Sequence, residues 1–175
     1  MKKQVKLKRR ERPSWDESFI FRALWSPTRS SCLHLFNGVA VVQDKRIIAS
    51  GYNGAPPNTK NCLELGCRKE EYGIDFHCKG MGVCRGTHAE ENGMRQIALK
   101  DLKGAILYTV YYPCSNCAKD IVGSGIKRVV YLKHYDEDHS YTDEAFKEAG
   151  VRVKKLKLNL EKCLTRVSES YIHKR

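Results

Sequence analysis

Apolar residues fall in short blocks along this chain, and their spacing switches between the two-residue period of strands and the longer period of helices. Ser14-Trp15-Asp16-Glu17, directly after Pro13, has the S-x-x-E form of a capping box. It predicts a helix to about Trp25 with Trp15, Phe19 and Leu24 on the inner face. Gly38-Val39-Ala40-Val41-Val42 reads as a buried strand, and Asp44-Lys45 as a tight turn into a second strand at Ile47-Ile48-Ala49, so the two form a hairpin. From Asn53 to Gly86 the periodicity fades. Pro56, Pro57, several glycines and five residues able to bind a metal lie there instead. A stretch that long without regular structure is unusual in a compact domain unless something staples it.

Order returns at Thr87-His88-Ala89-Glu90, a second capping box, which predicts a helix to about Lys100. Ala105–Tyr111 reads as a strand, and Pro113 precedes a short helix through Cys117 and Ile121 that ends near Gly123–Gly125. Val129–Leu132 is a strand, Asp143–Ala149 a helix stopped by Gly150, Val151–Leu156 a strand, and Leu156–Ser170 a final helix. Helix, two strands, then three helix–strand units imply an α/β fold with a mixed five-stranded sheet and helices on both faces.

A chain of 175 residues suits one well-buried core rather than two. No apolar run approaches the roughly 18 residues that a membrane helix needs, so no membrane partner is expected. The net charge of +12 changes meaning once it is located. Residues 1–12 carry seven Lys/Arg and one Glu, and residues 151–175 carry eight and two, leaving 17 of each sign between them. The expected organisation is a basic N-terminal arm (1–12), a neutral domain (13–157) and a basic C-terminal helix or tail (158–175). Such arms are either solvated ends or grips for a phosphate-rich partner. Met1–Arg12 lacks the apolar stretch and cleavage site of a secretory signal, so the expected address is cytoplasmic. Eight cysteines in that setting argue for metal binding or catalysis rather than disulfides.

Two segments carry the chemistry: His88-Ala89-Glu90 and Pro113-Cys114-Ser115-Asn116-Cys117. Each opens a predicted helix, where unsatisfied N–H groups favour thiolate over thiol. Cys114 and Cys117 are one helical turn apart and can face one ion. With His88 they give three ligands, leaving the fourth position of a tetrahedral zinc for water, whose pKa falls from 15.7 to roughly 7. Glu90, two residues past His88, is too close to be a comfortable fourth ligand and is placed to move protons between water, ring N3 and the leaving ammonia. The N–H groups of Ala89 and Cys114 are candidate donors to the reacting ring. Separately, Thr87-x-x-Glu90 is an ordinary capping box and Cys-x-x-Cys could be half of a structural or redox site. Their conjunction, H-x-E followed by P-C-x-x-C, is the signature of zinc nucleobase deaminases.

The likeness goes further. Arg12-Pro13-Ser14-Trp15-Asp16, Gly51-Tyr52-Asn53-Gly54-Ala55-Pro56 and Cys84-Arg85-Gly86-Thr87-His88-Ala89-Glu90 resemble the deoxycytidylate (dCMP) deaminase family over about residues 12–157. The resemblance implies the three-layer cytidine-deaminase-like fold and zinc-dependent hydrolysis of dCMP to dUMP, which feeds thymidylate synthesis. It also implies a sugar contact at Asn53, Tyr112 against the base, a homo-oligomer, and dCTP and dTTP as candidate allosteric effectors. Two departures stand out. Where the family commonly has basic residues and then Val-Gly-Ala, this chain reads Cys32-Leu33-His34-Leu35-Phe36-Asn37-Gly38-Val39, which leaves phosphate contacts and nucleotide regulation open. Where Gln-Asn-Ala-Ile is usual, it reads Glu91-Asn92-Gly93-Met94, and a glycine inside a helix costs roughly 1 kcal/mol relative to Ala.

Cys32, Cys62, Cys67, Cys78, Cys84 and His77 surround the irregular stretch. A second, closed zinc site would staple it. The resemblance matches best at Cys32, Cys62, Cys67 and Cys84, with Cys78 or His77 as substitutes and free thiols as the alternative. Cys163 reads as a packed residue, and His34, His134, His139 and His173 as surface or core histidines. Against the free-nucleotide enzyme stand a deaminase acting on cytosine or adenine in single-stranded DNA or RNA, gripped by the basic arms, and a catalytically dead binding module.

Overall fold

The computed structural model describes residues 12–75, 82–135 and 138–171. Helix α1 (Trp15–Trp25) opens with the expected capping box at Ser14 and Glu17 and runs into a 3-10 turn, Ser26–Arg29. Strands β1 (Gly38–Gln43) and β2 (Arg46–Tyr52) form the hairpin. Asp44 and Lys45 both adopt positive φ, 49° and 60°, the two-residue turn whose twist matches its strands. The remaining elements are α2 (Cys62–Leu65), α3 (Arg68–Glu71), α4 (Ala89–Met94), α5 (Leu99–Leu102), β3 (Ile106–Tyr111), α6 (Ser115–Gly123), β4 (Arg128–Lys133), α7 (Ser140–Glu148), β5 (Arg152–Lys155) and α8 (Leu160–Tyr171).

The sheet order is β2-β1-β3-β4-β5, antiparallel at β1 and parallel from β3 to β5. Alternation along the strands splits the core in two. Val39, Val41, Leu107, Val129 and Tyr131 face α4, α6 and α7, while Ala40, Val42, Tyr108 and Val130 face Phe19, Ile20 and Ala23 of α1. Helices thus cover both faces, as expected. A register shift between Val41 and Val42 leaves Ile48 unpaired, so Ile47 and Ile48 both reach the surface of this edge strand. No helix among the described residues is long and apolar enough to cross a membrane.

Three expectations change. The inner face of α1 is Asp16, Phe19, Ile20 and Ala23, not Trp15, Phe19 and Leu24; Trp15 is 49% exposed and stacks on Phe19. Counting apolar residues alone missed Asp16, which reaches in to accept from Tyr108 Oη (2.8 Å), Arg128 Nη2 (2.7 Å) and Lys154 Nζ (2.7 Å). The helix expected from Thr87 to Lys100 is two short pieces, α4 and α5. Its cap position is His88, without a side-chain capping bond, because the Thr87 hydroxyl lies instead by Gly54 O (3.1 Å) and Asn92 Oδ1 (2.6 Å). Finally, the irregular stretch holds two single-turn helices, and Asn61 and Glu64 form a capping box on α2 that went unread. The basic arm lies outside the described residues apart from Arg12.

Candidate active site

β3 ends at Tyr111, and Tyr112-Pro113 carries the chain to Cys114, the cap of α6, with Cys117 one turn further on. At the cap of α4, His88 has extended backbone (φ −73°, ψ 156°), which turns its ring out of the helix toward those cysteines. His88 Nδ1 lies 3.4 Å from Cys114 Sγ and 3.3 Å from Cys117 Sγ, and the three atoms lie within 4.8 Å of one another. Tetrahedral zinc with ordinary bond lengths sets N and S ligands about 3.6 Å apart. The donor set therefore fits zinc with almost no movement.

The electrostatics of the trio point the same way. Hydrogen bonds with Cys117 and His88 lower the Cys114 thiol to about 3. The bond to Cys114 raises His88 to about 9 against the opposing effect of burial. The bond between Cys117 and Cys114, with burial and the nearby Glu90, holds the Cys117 thiol well above its usual range. One thiolate thus draws on a neighbour's proton; a divalent cation at the centre satisfies all three donors at once.

Glu90, 2% exposed, lies in the first turn of α4 behind the trio. Burial pushes its carboxyl upward, opposed by His88 and by a bond from Asn37. Asn37 Nδ2 donates to Glu90 Oε1 at 3.1 Å, Thr109 Oγ1 lies 3.2 Å from the same oxygen, and Cys117 Sγ lies 3.6 Å from Oε2. Sequence reading gave neither Asn37 nor Thr109 a role at the site. The available signal was their polarity at positions flanking and interrupting apolar strands.

A cavity of about 620 Å³ opens over these groups, a size suited to one small ligand. Ala89, Cys114, Asn53 and Tyr112 all line it. The N–H groups of Ala89 and Cys114 sit at helix starts, where helix geometry provides no partner. Asn53 is already engaged: its Oδ1 accepts from Ser30 Oγ (2.9 Å) and Asn37 N (2.9 Å), and its Nδ2 donates to Leu35 O (2.7 Å). One Nδ2 hydrogen remains for a ligand. Tyr112 is 4% exposed, donates its hydroxyl to Asp143 Oδ1 (2.6 Å) and packs against Tyr131, His134, His139 and Phe146. It is one of the cavity's lining residues, with Tyr111 and Tyr135.

Residues 13–133 match the model of the cytidine and deoxycytidylate deaminase zinc-binding region. The chain belongs to the cytidine and deoxycytidylate deaminase family. ComE operon protein 2 of Bacillus subtilis is 38% identical over 85% of this chain and 75% of its own length. The deoxycytidylate deaminase of Mycobacterium phage D29 is 39% identical over 70% of this chain and 97% of its own. Among solved structures, the dCMP deaminase of cyanophage S-TIM5 in complex with dCMP and dUMP superimposes with a TM-score of 0.66 at 25% identity, over 84% of this chain and 100% of that one. The fold is the cytidine-deaminase-like fold.

In this deaminase domain Cys32, Cys62 and Cys84 also line the cavity. Burial, together with the neighbouring Cys32, Cys67 and Cys84, raises the Cys62 thiol, so the four expected residues share one neighbourhood. The tight grouping there among the described residues is nonetheless His34, Cys67 and Glu70, within 4.8 Å of one another. His34 Nε2 lies 3.0 Å from Glu70 Oε1. His34 was read as a plain histidine because its partners come from α3, more than thirty residues away. His77, Cys78 and His173 lie outside the described residues.

Proposed function

We propose that this protein hydrolyses dCMP to dUMP and ammonia, with His88, Cys114 and Cys117 holding a catalytic zinc ion and Glu90 moving the protons. The observation that carries the reading is the convergence of one imidazole nitrogen and two sulfurs within 4.8 Å, backed by a buried carboxylate, at the floor of a nucleotide-sized cavity. The bound ion supplies an acidified water for attack on C4 of the cytosine ring. Glu90 would relay both protons of that water in turn, the first to ring N3 and the second to the departing amine, leaving the water oxygen on C4. The Ala89 and Cys114 N–H groups donate to the ring carbonyl and the reacting centre, Asn53 contacts the sugar with its remaining N–H, and Tyr112 borders the base. Among the described residues lining the cavity, Lys69 has the fixed positive charge that a 5′-phosphate needs. The segment from Leu33 to Phe36 offers only His34, already paired with Glu70, so regulation by dCTP or dTTP would have to work through other residues.

The same reading includes a structural zinc at the Cys32, Cys62, Cys67 and Cys84 cluster, closing the irregular segment onto the residues before β1. It also includes a homo-oligomer, supported by Trp25 (70% exposed) and Leu63 (68% exposed) on the surface. Substrate choice is tested by incubating zinc-loaded protein with dCMP, CMP, deoxycytidine and single-stranded DNA and following the cytosine absorbance. Fast loss with dCMP, little changed by salt, is expected. Preferred action on DNA that collapses as ionic strength rises would instead assign the basic arms a polynucleotide.

A further inference from the structure

Asn37 stands at the mouth of the β1–β3 ladder, 6% exposed. The antiparallel register pairs Val39 with Thr109, which sets Asn37 beside Tyr111 at the end of β3 where the active site begins. Its Oδ1 accepts from the N–H of Gly38 (2.9 Å) and of Tyr111 (3.3 Å), with Thr109 Oγ1 also at 3.3 Å. Those two backbone donors fix which end of the amide is oxygen. Turning it over would set an NH2 group against two N–H groups and an oxygen against a carboxylate. Nδ2 therefore points at Glu90 and donates to Oε1.

Oε1 receives a second group, the Thr109 hydroxyl, on a residue that is fully buried. That hydroxyl has one proton and three acceptors in reach: Tyr111 O at 3.0 Å, Glu90 Oε1 at 3.2 Å and Asn37 Oδ1 at 3.3 Å. The amide bond is thus the firmer of the two on Oε1. Oε2 faces the metal-binding side, with Cys117 Sγ at 3.6 Å.

We propose that Asn37 is a positioning residue for the proton-transfer step: it pins Glu90 Oε1 so that Oε2 alone faces the water and the ring. A carboxylate that must accept a proton at one point and deliver it at others keeps its line of approach only while its other oxygen is held. The inference rests on the deaminase reading above. Thr109 assists through the same oxygen.

The isostere Asn37→Asp separates this role from a structural one. Asp keeps acceptors for the Gly38 and Tyr111 N–H groups, and in place of the amide donor sets a second carboxyl against Glu90, which takes away the fixed N–H that holds Oε1. Expected for zinc-loaded Asn37→Asp is a kcat on dCMP about 10- to 100-fold below the parent, with KM within about threefold and zinc content unchanged. Thr109→Val should lower kcat by less, and adding it to Asn37→Asp should cost little more. A second readout needs no turnover: Asn37→Val should lower Tm in the parent background and lower it much less beside Glu90→Ala, where there is no carboxylate to hold. Near-parental kcat for Asn37→Asp overturns the proposal, as does a rise in KM alone, which would make Asn37 a substrate contact. Should Asn37→Asp not fold, Thr109→Val decides, an unchanged kcat counting against it. A parent protein inert toward dCMP would sink the deaminase reading instead, while the Tm comparison would still report the contact.

Discussion

Gly51 of β2 lies so close to Gly93 of α4 that it has no room for a side chain, and Gly93 in turn is closed by Val39 of β1. A Cβ on Gly51 would stand 2.5 Å from Gly93 N and 2.6 Å from Ala89 O, and one on Gly93 would stand 2.7 Å from Val39 Cγ2. The contact draws the first turn of α4, with His88 and Glu90, down onto the sheet edge. It also explains why a helix carries a glycine at some propensity cost.

The two positions should respond unequally. Gly51→Ala meets backbone atoms, which cannot turn aside, and should cost about 3 kcal/mol or prevent folding. Gly93→Ala meets a side-chain methyl and gains helix propensity, so a loss of about 1–2 kcal/mol is expected, partly restored by Val39→Ala. Denaturant midpoints measure both, and equal losses would mean that α4 shifts freely over β2.

Asp16 gives the stability its acid limit. Burial raises its carboxyl, but bonds from Arg128, Lys154 and Tyr108 outweigh this and hold it at about 2. The unfolded carboxyl titrates near 3.9, so the folded-state pKa is the depressed one. Its contribution is then complete above about pH 4 and disappears as pH falls through about 2. After discounting for solvent screening, Asp16→Asn should cost about 1–2 kcal/mol at pH 7. Melting curves of parent and variant should converge only below about pH 2, toward pH 1; a gap that persists at about pH 1 would mean the carboxylate charge is not what stabilises.

Much of this was legible in the sequence, and the misses have physical causes. Every strand, α1, α6 and α7 followed from apolar period and turn residues, because those patterns are local. The trio and Glu90 were named from the H-x-E and P-C-x-x-C signature: a helical turn fixes Cys114 against Cys117 and the H-x-E step fixes His88 against Glu90, but the convergence of the two segments is visible only in the fold. What could not be read was pairing across the sheet. Asn37 meets Glu90, and Asp16 meets Arg128 and Lys154, only after β1 lies beside β3 and α1 crosses the sheet. The Thr87 cap failed for the same reason, its hydroxyl going to Gly54 on the far side of the irregular loop.

Metal content separates the two cysteine groups. Elemental analysis should find two zinc ions per chain. Cys114→Ala should abolish activity and largely spare the fold, whereas Cys62→Ala or Cys84→Ala should lower Tm and speed proteolysis between residues 53 and 86. One zinc per chain, with Cys84→Ala as stable as the parent, would reduce the cluster to free thiols.

The most direct measurement is ammonia release from dCMP by Glu90→Gln, with zinc determined on the same sample. The amide retains the size of the carboxylate but cannot carry a proton between water, ring and amine. Expected is a folded protein that keeps the zinc at His88, Cys114 and Cys117 and releases no measurable ammonia. Parental turnover by Glu90→Gln would contradict the assignment of Glu90 as the group that moves the protons.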